Sequence, residues 1–255
     1  MEHYDETFYN TYAAYSSGSA RKVVPHLIEI FSPKSVVDVG CGIGTWLSVF
    51  EKQGVKDILG IDGSYVNRSQ LLFDQKDFLP HDLTRPLPKE KYRRFDLAMS
   101  LEVGEHLPEA SAEQLVTTLV SLAPVVLFSA AIPHQGGTNH INEQWQNYWA
   151  KLFRQKGYAT LNFLISRIWG DPQVEYYYSQ NSLLYIETTY LEKFQNLKEY
   201  VVSADNEMLS RVHPIKWLKA NNRPPPPLRN LLKALPTSLK HTLSYHLNRS
   251  FKKSN

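Results

Sequence analysis

Cysteine is almost missing: Cys41 is the only one in 255 residues. That excludes a disulfide scaffold and a cysteine-based zinc module, and it favours a reducing, cytoplasmic setting. The opening Met-Glu-His-Tyr-Asp-Glu lacks both a basic region and an apolar run, so no signal peptide is expected. Acidic residues are absent after Glu207. The last 48 residues carry 10 Lys and Arg, whereas residues 1–207 hold 18 against all 25 Asp and Glu, a balance of −7. Such polarity suits an anionic partner for the tail, or the acidic body itself. Repeats are lacking too, and low complexity is confined to Pro224–Pro227. What is present is an ordinary globular share of apolar residues, 42%, which excludes a disordered chain.

No stretch reads cleanly as a membrane span. Leu115–Pro133 is free of charge and approaches spanning length, but Pro124 divides it into the end of one helix and a buried strand over Val125–Ala130. Around it, strands and helices alternate. Strands are expected over Ser35–Val39, Asp57–Ile61 and Phe95–Leu101, and helices over Thr45–Gln53, Glu109–Leu122 and Glu143–Gln155. Thr160–Trp169 and Ser182–Thr188 then read as antiparallel neighbours, with Tyr176-Tyr177-Tyr178 in the loop between them. The expected fold is α/β: a Rossmann-like doubly wound sheet, mostly parallel with an antiparallel last strand, plus a helical C-terminal extension.

The central motif is Asp38-Val-Gly40-Cys-Gly42-Ile-Gly44 between the first strand and its helix. Glycines allow a tight turn, and the following helix turns its free N–H groups toward a ligand. The spacing is G-x-G-x-G, with a carboxylate two residues earlier that would repel a pyrophosphate and welcome a cationic amine. Asp62 ends the next strand 22 residues after Gly40, where an acid can accept from ribose hydroxyls.

On these residues the chain resembles class I S-adenosylmethionine-dependent methyltransferases, of the methyltransferase type 11/23-like branch, over roughly residues 20–190. The resemblance implies that Asp38 and Gly40 hold the methionine end of the cofactor, that Gly42 and Gly44 shape the turn, and that Asp62 binds the ribose. It further implies that Asp82 and Leu83 meet the adenine, and that Ser100 and Leu101 line the methyl-donor side. Residues 1–22 are expected to form a lid or cap, or else a helix packed on the sheet edge. Residues 23–190 form the cofactor-binding domain, 191–223 a helical extension, and 224–255 a proline-initiated basic amphipathic tail.

Methyl transfer to a hydroxyl needs alignment and a proton acceptor. Two stretches at strand C-termini offer one: Glu102-Val-Gly-Glu105-His106, and His134-Gln-Gly-Gly-Thr-Asn-His140. His140 is the first choice for the base, His134 the second and His106 the third; each could instead be a hydrogen-bonded structural histidine. Glu102, Glu105, His106 and His140 together resemble the acid–acid–His plus distant His set of small-RNA 3′-end 2′-O-methyltransferases, which implies a divalent metal. A similar Glu-x-x-Glu-His stretch occurs in ubiquinone-biosynthesis O-methyltransferases, so the reading without a metal is preferred.

The expected activity is O-methylation of a sugar hydroxyl or another small polar or natural-product acceptor. The alternatives are metal-assisted RNA 2′-O-methylation, and a non-catalytic subunit with a cofactor fold. The partner expected is a small-molecule or glycan acceptor rather than nucleic acid, with peripheral membrane contact through the tail and a homodimer as further readings.

Overall fold

The computed structural model describes residues 6–88 and 93–221, with side chains from residue 16. The sheet is built from β1 (Ser35–Val39), β2 (Asp57–Asp62), β3 (Phe78–Pro80), β4 (Leu97–Leu101), β5 (Val125–Ser129), β6 (Tyr158–Leu161), β7 (Leu183–Glu187) and β8 (Val201–Val202). Their order is β3-β2-β1-β4-β5-β7-β6-β8. β1 to β5 run parallel, and β7 is antiparallel to both β5 and β6. The order reverses between β1 and β4, and that switch point opens a crevice at the strand C-termini.

Every residue of β1, β4 and β5 is buried, which explains their near-continuous apolar runs. Helices cover both faces. On one side, α1 (Glu6–Phe31) and α2 (Thr45–Lys52) pack together, with Leu27, Leu47 and Phe50 fully buried. On the other, α3 (Ala112–Leu122) and α4 (Gln146–Gln155) bury Leu119, Trp149 and Phe153. Pro124 separates α3 from β5, and no helix among the described residues is long and apolar enough to cross a membrane.

Several expectations need correction. Thr160–Trp169 is not one strand: β6 stops at Leu161, and Ile165–Ile168 is a short helix, α5. The Asn162 amide donates to the Tyr200 carbonyl, and Arg167 lies over the Phe163 ring while donating to the Phe163 carbonyl. These contacts fold back an apolar run whose period alone cannot tell strand from helix. Tyr176–Asn181 is a helix, α6, and not a loop.

Residues 22 and 23 lie within the unbroken α1, so no secondary-structure boundary separates the N-terminal segment from the sheet domain. Beyond β7, α7 (Thr188–Leu191) is followed by 3-10 turns and the strand β8, and α8 spans Pro214–Asn221. The extension is thus mixed, and its β8 adds to the sheet beside β6. The described residues up to Lys216 belong to one compact unit, and a second begins at Trp217. The basic tail expected at residues 224–255 lies outside the described residues.

Candidate active site

A cavity of about 1250 Å³ opens at the strand C-termini and is lined by residues from the β1, β2 and β4 ends and from α6. Its floor is the turn after β1. Gly40, Gly42 and Gly44 all have left-handed backbone, with φ of +87°, +53° and +82°. A Cβ at Gly40 would sit 2.3 Å from the Val103 side chain, so this position tolerates only glycine. The Gly40 amide donates to the Ile61 carbonyl at 2.7 Å, which ties the turn to β2.

Asp62 completes that tie. Its Oδ2 accepts from the Gly42 amide at 2.7 Å, and its Oδ1 accepts from the Gly63 amide and the Tyr65 hydroxyl, each at 2.6 Å. A carboxylate has about four lone-pair sites, so capacity for a ligand hydroxyl remains. Burial pushes Asp62 above the usual carboxylate range, tempered by those three donors. Asp38, also buried and on the cavity wall, is pushed up to about 8, first by burial and then by the Asp62 charge. Two buried carboxylates side by side are an electrostatic deficit that a bound cation would relieve.

The histidines meet for a structural reason. After β4, Gly104–His106 forms a 3-10 turn, and the Glu105 carbonyl accepts from the amides of Ile141 and Asn142 at 2.9 and 3.0 Å. That strap lays His140 beside His106, ring centroids 4.9 Å apart and nearly perpendicular. Ligand atoms of Glu105, His106 and His140 all lie within 4.8 Å of one another. Glu105 is fully buried, and neither carboxylate oxygen finds a hydrogen-bond partner. Burial, then the neighbouring Glu102 charge, hold it well above the usual range. His106 is pushed down to about 4 by burial and by His140.

Glu102 has a different role from that expected of the set. Its backbone is left-handed at φ +56°, and its carboxylate accepts from Gln135 Nε2 and Asn181 Nδ2 at 2.9 and 3.0 Å. These two amides were not singled out from sequence, because their partners are 33 and 79 residues away. Tyr176, Tyr177 and Tyr178 do line the cavity, on α6, and the Tyr178 hydroxyl meets Ser16 at 3.1 Å.

Most expected residues converge on this cavity: Asp38, Gly40, Gly42, Asp62, Asp82, Leu83, Leu101, Glu102, Glu105, His106 and His140. Asp82 arrives engaged, accepting from the Thr84 amide and hydroxyl and pairing with Arg85 at 3.2 Å. Three do not line it. Gly44 caps α2 and is covered by the Phe73 ring. Ser100 is fully buried within β4, one residue short of the strand end. His134 is exposed, with its backbone turned left-handed at φ +65°. It contributes its amide, not its ring, to the loop, donating to Glu143 Oε2 at 2.7 Å.

Glu143 is the residue the sequence reading missed. Besides the His134 amide, it accepts from the Gly136 amide at 2.7 Å, and its Oε1 lies within hydrogen-bond distance of His140 Nδ1, at 2.9 Å. Burial alone would raise its carboxyl, but the His140, Gly136 and His134 donors outweigh that and hold it below the usual range.

Comparison with known proteins gives this geometry a context. A family model described as a methyltransferase domain matches residues 12–167, more than half of the chain. A probable tocopherol O-methyltransferase from rice, Oryza sativa subsp. japonica, is 32% identical over 143 residues, covering 48% of this chain and 38% of that protein. An O-methyltransferase family protein from Burkholderia thailandensis shares the fold with a TM-score of 0.52 at 14% identity, covering 71% of this chain and 57% of that one. The methyltransferase domain of a bacterial Hen1 gives a TM-score of 0.48 at 20% identity, covering 66% of this chain and 96% of that one. The chain thus spans well under two thirds of the rice protein and of the Burkholderia protein.

Proposed function

The chain belongs to the class I S-adenosylmethionine-dependent methyltransferases, and from that premise we propose that it methylates a hydroxyl of a small, uncharged polar acceptor such as a sugar. The observation that carries this reading is one cavity holding both the Asp38–Asp62 carboxylate pair and the His106–His140 pair. The residues present fit the cofactor: two buried acids in need of a cation, and at Gly42 a backbone with open space above it. Asp38 would hold its ammonium end, Asp62 its ribose hydroxyls, and Asp82 and Leu83 its adenine. When bound, it supplies an electrophilic methyl carbon on a positively charged sulfur.

The chain's own residues do the rest. Among the described residues, the cavity wall carries Asp38, Asp62, Asp82, Glu102 and Glu105 against one Arg or Lys, Arg85. Ionised or protonated, these acids give a phosphate little to bind beside one arginine, so the described wall suits neutral acceptors. Tyr176, Tyr177 and Tyr178 offer an aromatic wall on which a sugar or flat ring can rest. His140 would take the proton of the acceptor hydroxyl, and the cofactor would supply the methyl group to that oxygen. Alignment is worth about 7–11 kcal/mol and a general base about 10²–10⁴-fold, so positioning dominates. His140→Ala is therefore expected to lower kcat by about 10²–10⁴-fold and leave measurable turnover; full turnover would remove His140 as the base.

The Glu105, His106 and His140 cluster favours a second reading. Three converging N/O ligands, one an orphaned buried carboxylate, suit a divalent ion such as Mg²⁺ or Mn²⁺ that would hold acceptor hydroxyls and lower their pKa. An RNA 3′-end diol is an acceptor of that type. Titrating Mn²⁺ into the protein, with paramagnetic resonance as readout, decides between the readings, because Glu105→Gln should abolish a tight site. Full turnover after exhaustive chelation would leave the metal-free reading standing.

The acceptor itself is found with methyl-labelled S-adenosylmethionine and a cell extract separated into small-molecule, glycan–lipid, RNA and protein fractions. Label in the small-molecule or glycan fraction is the expected result. Label in RNA would move the reading to the metal-assisted one, and label nowhere, with no cofactor binding, would remove both.

A further inference from the structure

We infer that Glu143 is a positioning residue that fixes the tautomer and direction of the His140 ring. The inference rests on the proposed role of His140, but its geometry stands alone. Glu143 does not line the cavity, yet its carboxylate draws together three points of the loop beside it: the His134 amide, the Gly136 amide and the His140 ring. Oε2 accepts from the His134 amide and Oε1 from the Gly136 amide, each at 2.7 Å, and Oε1 also lies 2.9 Å from His140 Nδ1.

Backbone amides can only donate. Both Glu143 oxygens are therefore acceptors, and the contacts that hold this carboxyl below its usual range keep it ionised, so the group facing His140 Nδ1 has no proton to give. Nδ1 must carry the proton, which leaves the lone pair of the neutral ring on Nε2. The other side of the ring is fenced as well. A Cβ on Gly137 would sit 2.2 Å from His140 Nε2, so the imidazole lies directly against that glycine. The ring is held between a carboxylate on one nitrogen and a missing side chain at the other.

The loop between these stops is not one the backbone would adopt unaided. His134 and Asn139 are both left-handed without being glycine, at φ +65° and +58°, and Gly136 lies between them at +71°. Such residues persist where the surroundings over-determine them. Here Glu143, three residues beyond the ring it orients, holds the His134 and Gly136 amides, and the Glu105 carbonyl holds those of Ile141 and Asn142.

Three variants test this: Glu143→Gln, Glu143→Asp and Gly137→Ala. The first readout is long-range ¹H–¹⁵N spectra of histidine-labelled protein, with His140 assigned from His140→Asn. Wild type should show His140 with its proton on Nδ1, Glu143→Asp should keep that state, and Glu143→Gln should lose it. The second readout is the affinity for S-adenosylhomocysteine by calorimetry, expected to be unchanged in all three variants. The third is methyl transfer to the labelled acceptor fraction, expected to fall in kcat, more than in KM, by about 10²–10⁴-fold in Glu143→Gln.

Gly137→Ala should also lower kcat, because it moves the ring while leaving the Glu143 contacts in place. It guards against a Glu143 variant that merely loosens the loop. A wild-type His140 with its proton on Nε2, or a Glu143→Gln enzyme with unchanged kcat, would overturn the inference. Loss of S-adenosylhomocysteine binding in wild type would strike the proposed function instead and leave the tautomer result readable.

Discussion

Asp62 shows how one side chain can serve fold and ligand together. Its carboxylate holds the turn after β1 against β2 through the Gly42 and Gly63 amides, while the exposed Tyr65 hydroxyl occupies the remaining side of Oδ1. Asp62→Ala should weaken S-adenosylhomocysteine binding by about 1.5–3 kcal/mol, the scale of hydrogen bonds to a charged group. Tyr65→Phe should do the opposite. It frees one acceptor site without disturbing the turn, so affinity should rise by roughly 0.5–1.5 kcal/mol. Calorimetry on the pair checks both signs; weaker binding in Tyr65→Phe would mean that the hydroxyl belongs to the bound state.

The placement of Asp62 and Asp38 at the glycine turn is legible in the sequence because an acid's distance from such a turn is a local spacing. The placement of Glu143 and Gln135 is not. Glu143 reads as an ordinary residue opening a helix, and only folding shows that it faces back onto His134, Gly136 and His140. Gln135 gains meaning from Glu102 and Asn181, contacts that cross from β4 to α6.

At the scale of elements, the β1 turn and the β2 end place Asp38 and Asp62 together before any ligand arrives. Asp38 has a folded-state pKa of about 8 against an ordinary value of 3.8. Above 3.8 the unfolded chain gives up this proton first, so stability is fully present below that pH and is lost as pH rises through about 8. The ligand-free protein should melt at a lower temperature near pH 8 than near pH 5, and Asp38→Asn should lose part of that slope. Binding has the matching sign. At about pH 6 the carboxyl is protonated when free, and an ammonium beside it favours ionisation, so S-adenosylhomocysteine should release up to about one proton. Calorimetry in buffers of different ionisation enthalpy measures it, and no release in wild type would place the ammonium elsewhere.

The elements themselves were read with uneven success, for a physical reason. β1, β4 and β5 are buried on both faces and bounded by turns, so composition marks them, and Pro124 splits α3 from β5 where its ring forbids a continuous helix. α5 and α6 are four and six residues long, too short to show a helical period. Ile165 and Ile168 therefore read as part of a strand, and the tyrosines of α6 as a loop. β8 is a two-residue strand whose pairing with Thr160 and Leu161 has no local signal at all.

Over the whole molecule, the same helix serves core and cavity. Ala20, Val23, Val24 and Leu27 of α1 are fully buried, whereas Ser16, one turn before Ala20, lines the cavity and meets Tyr178. A lid that detaches could not bury four side chains in the main core. Leu27→Ala should therefore cost about 2–5 kcal/mol of global stability, as deletions of fully buried leucines do. Ser16→Ala should cost less, about 0.5–1.5 kcal/mol, since it removes one part-buried hydrogen bond. Saturating S-adenosylhomocysteine should stabilise wild type and Leu27→Ala by the same amount, about 2.7 kcal/mol at a hundredfold excess over Kd, because occupancy acts through the cavity and not through Leu27. Denaturant melts with and without ligand separate the two contributions. If Leu27→Ala melted like wild type, α1 would be a cap laid on a domain complete without it; if the ligand increment vanished in Leu27→Ala, the helix would be part of the binding site's own order.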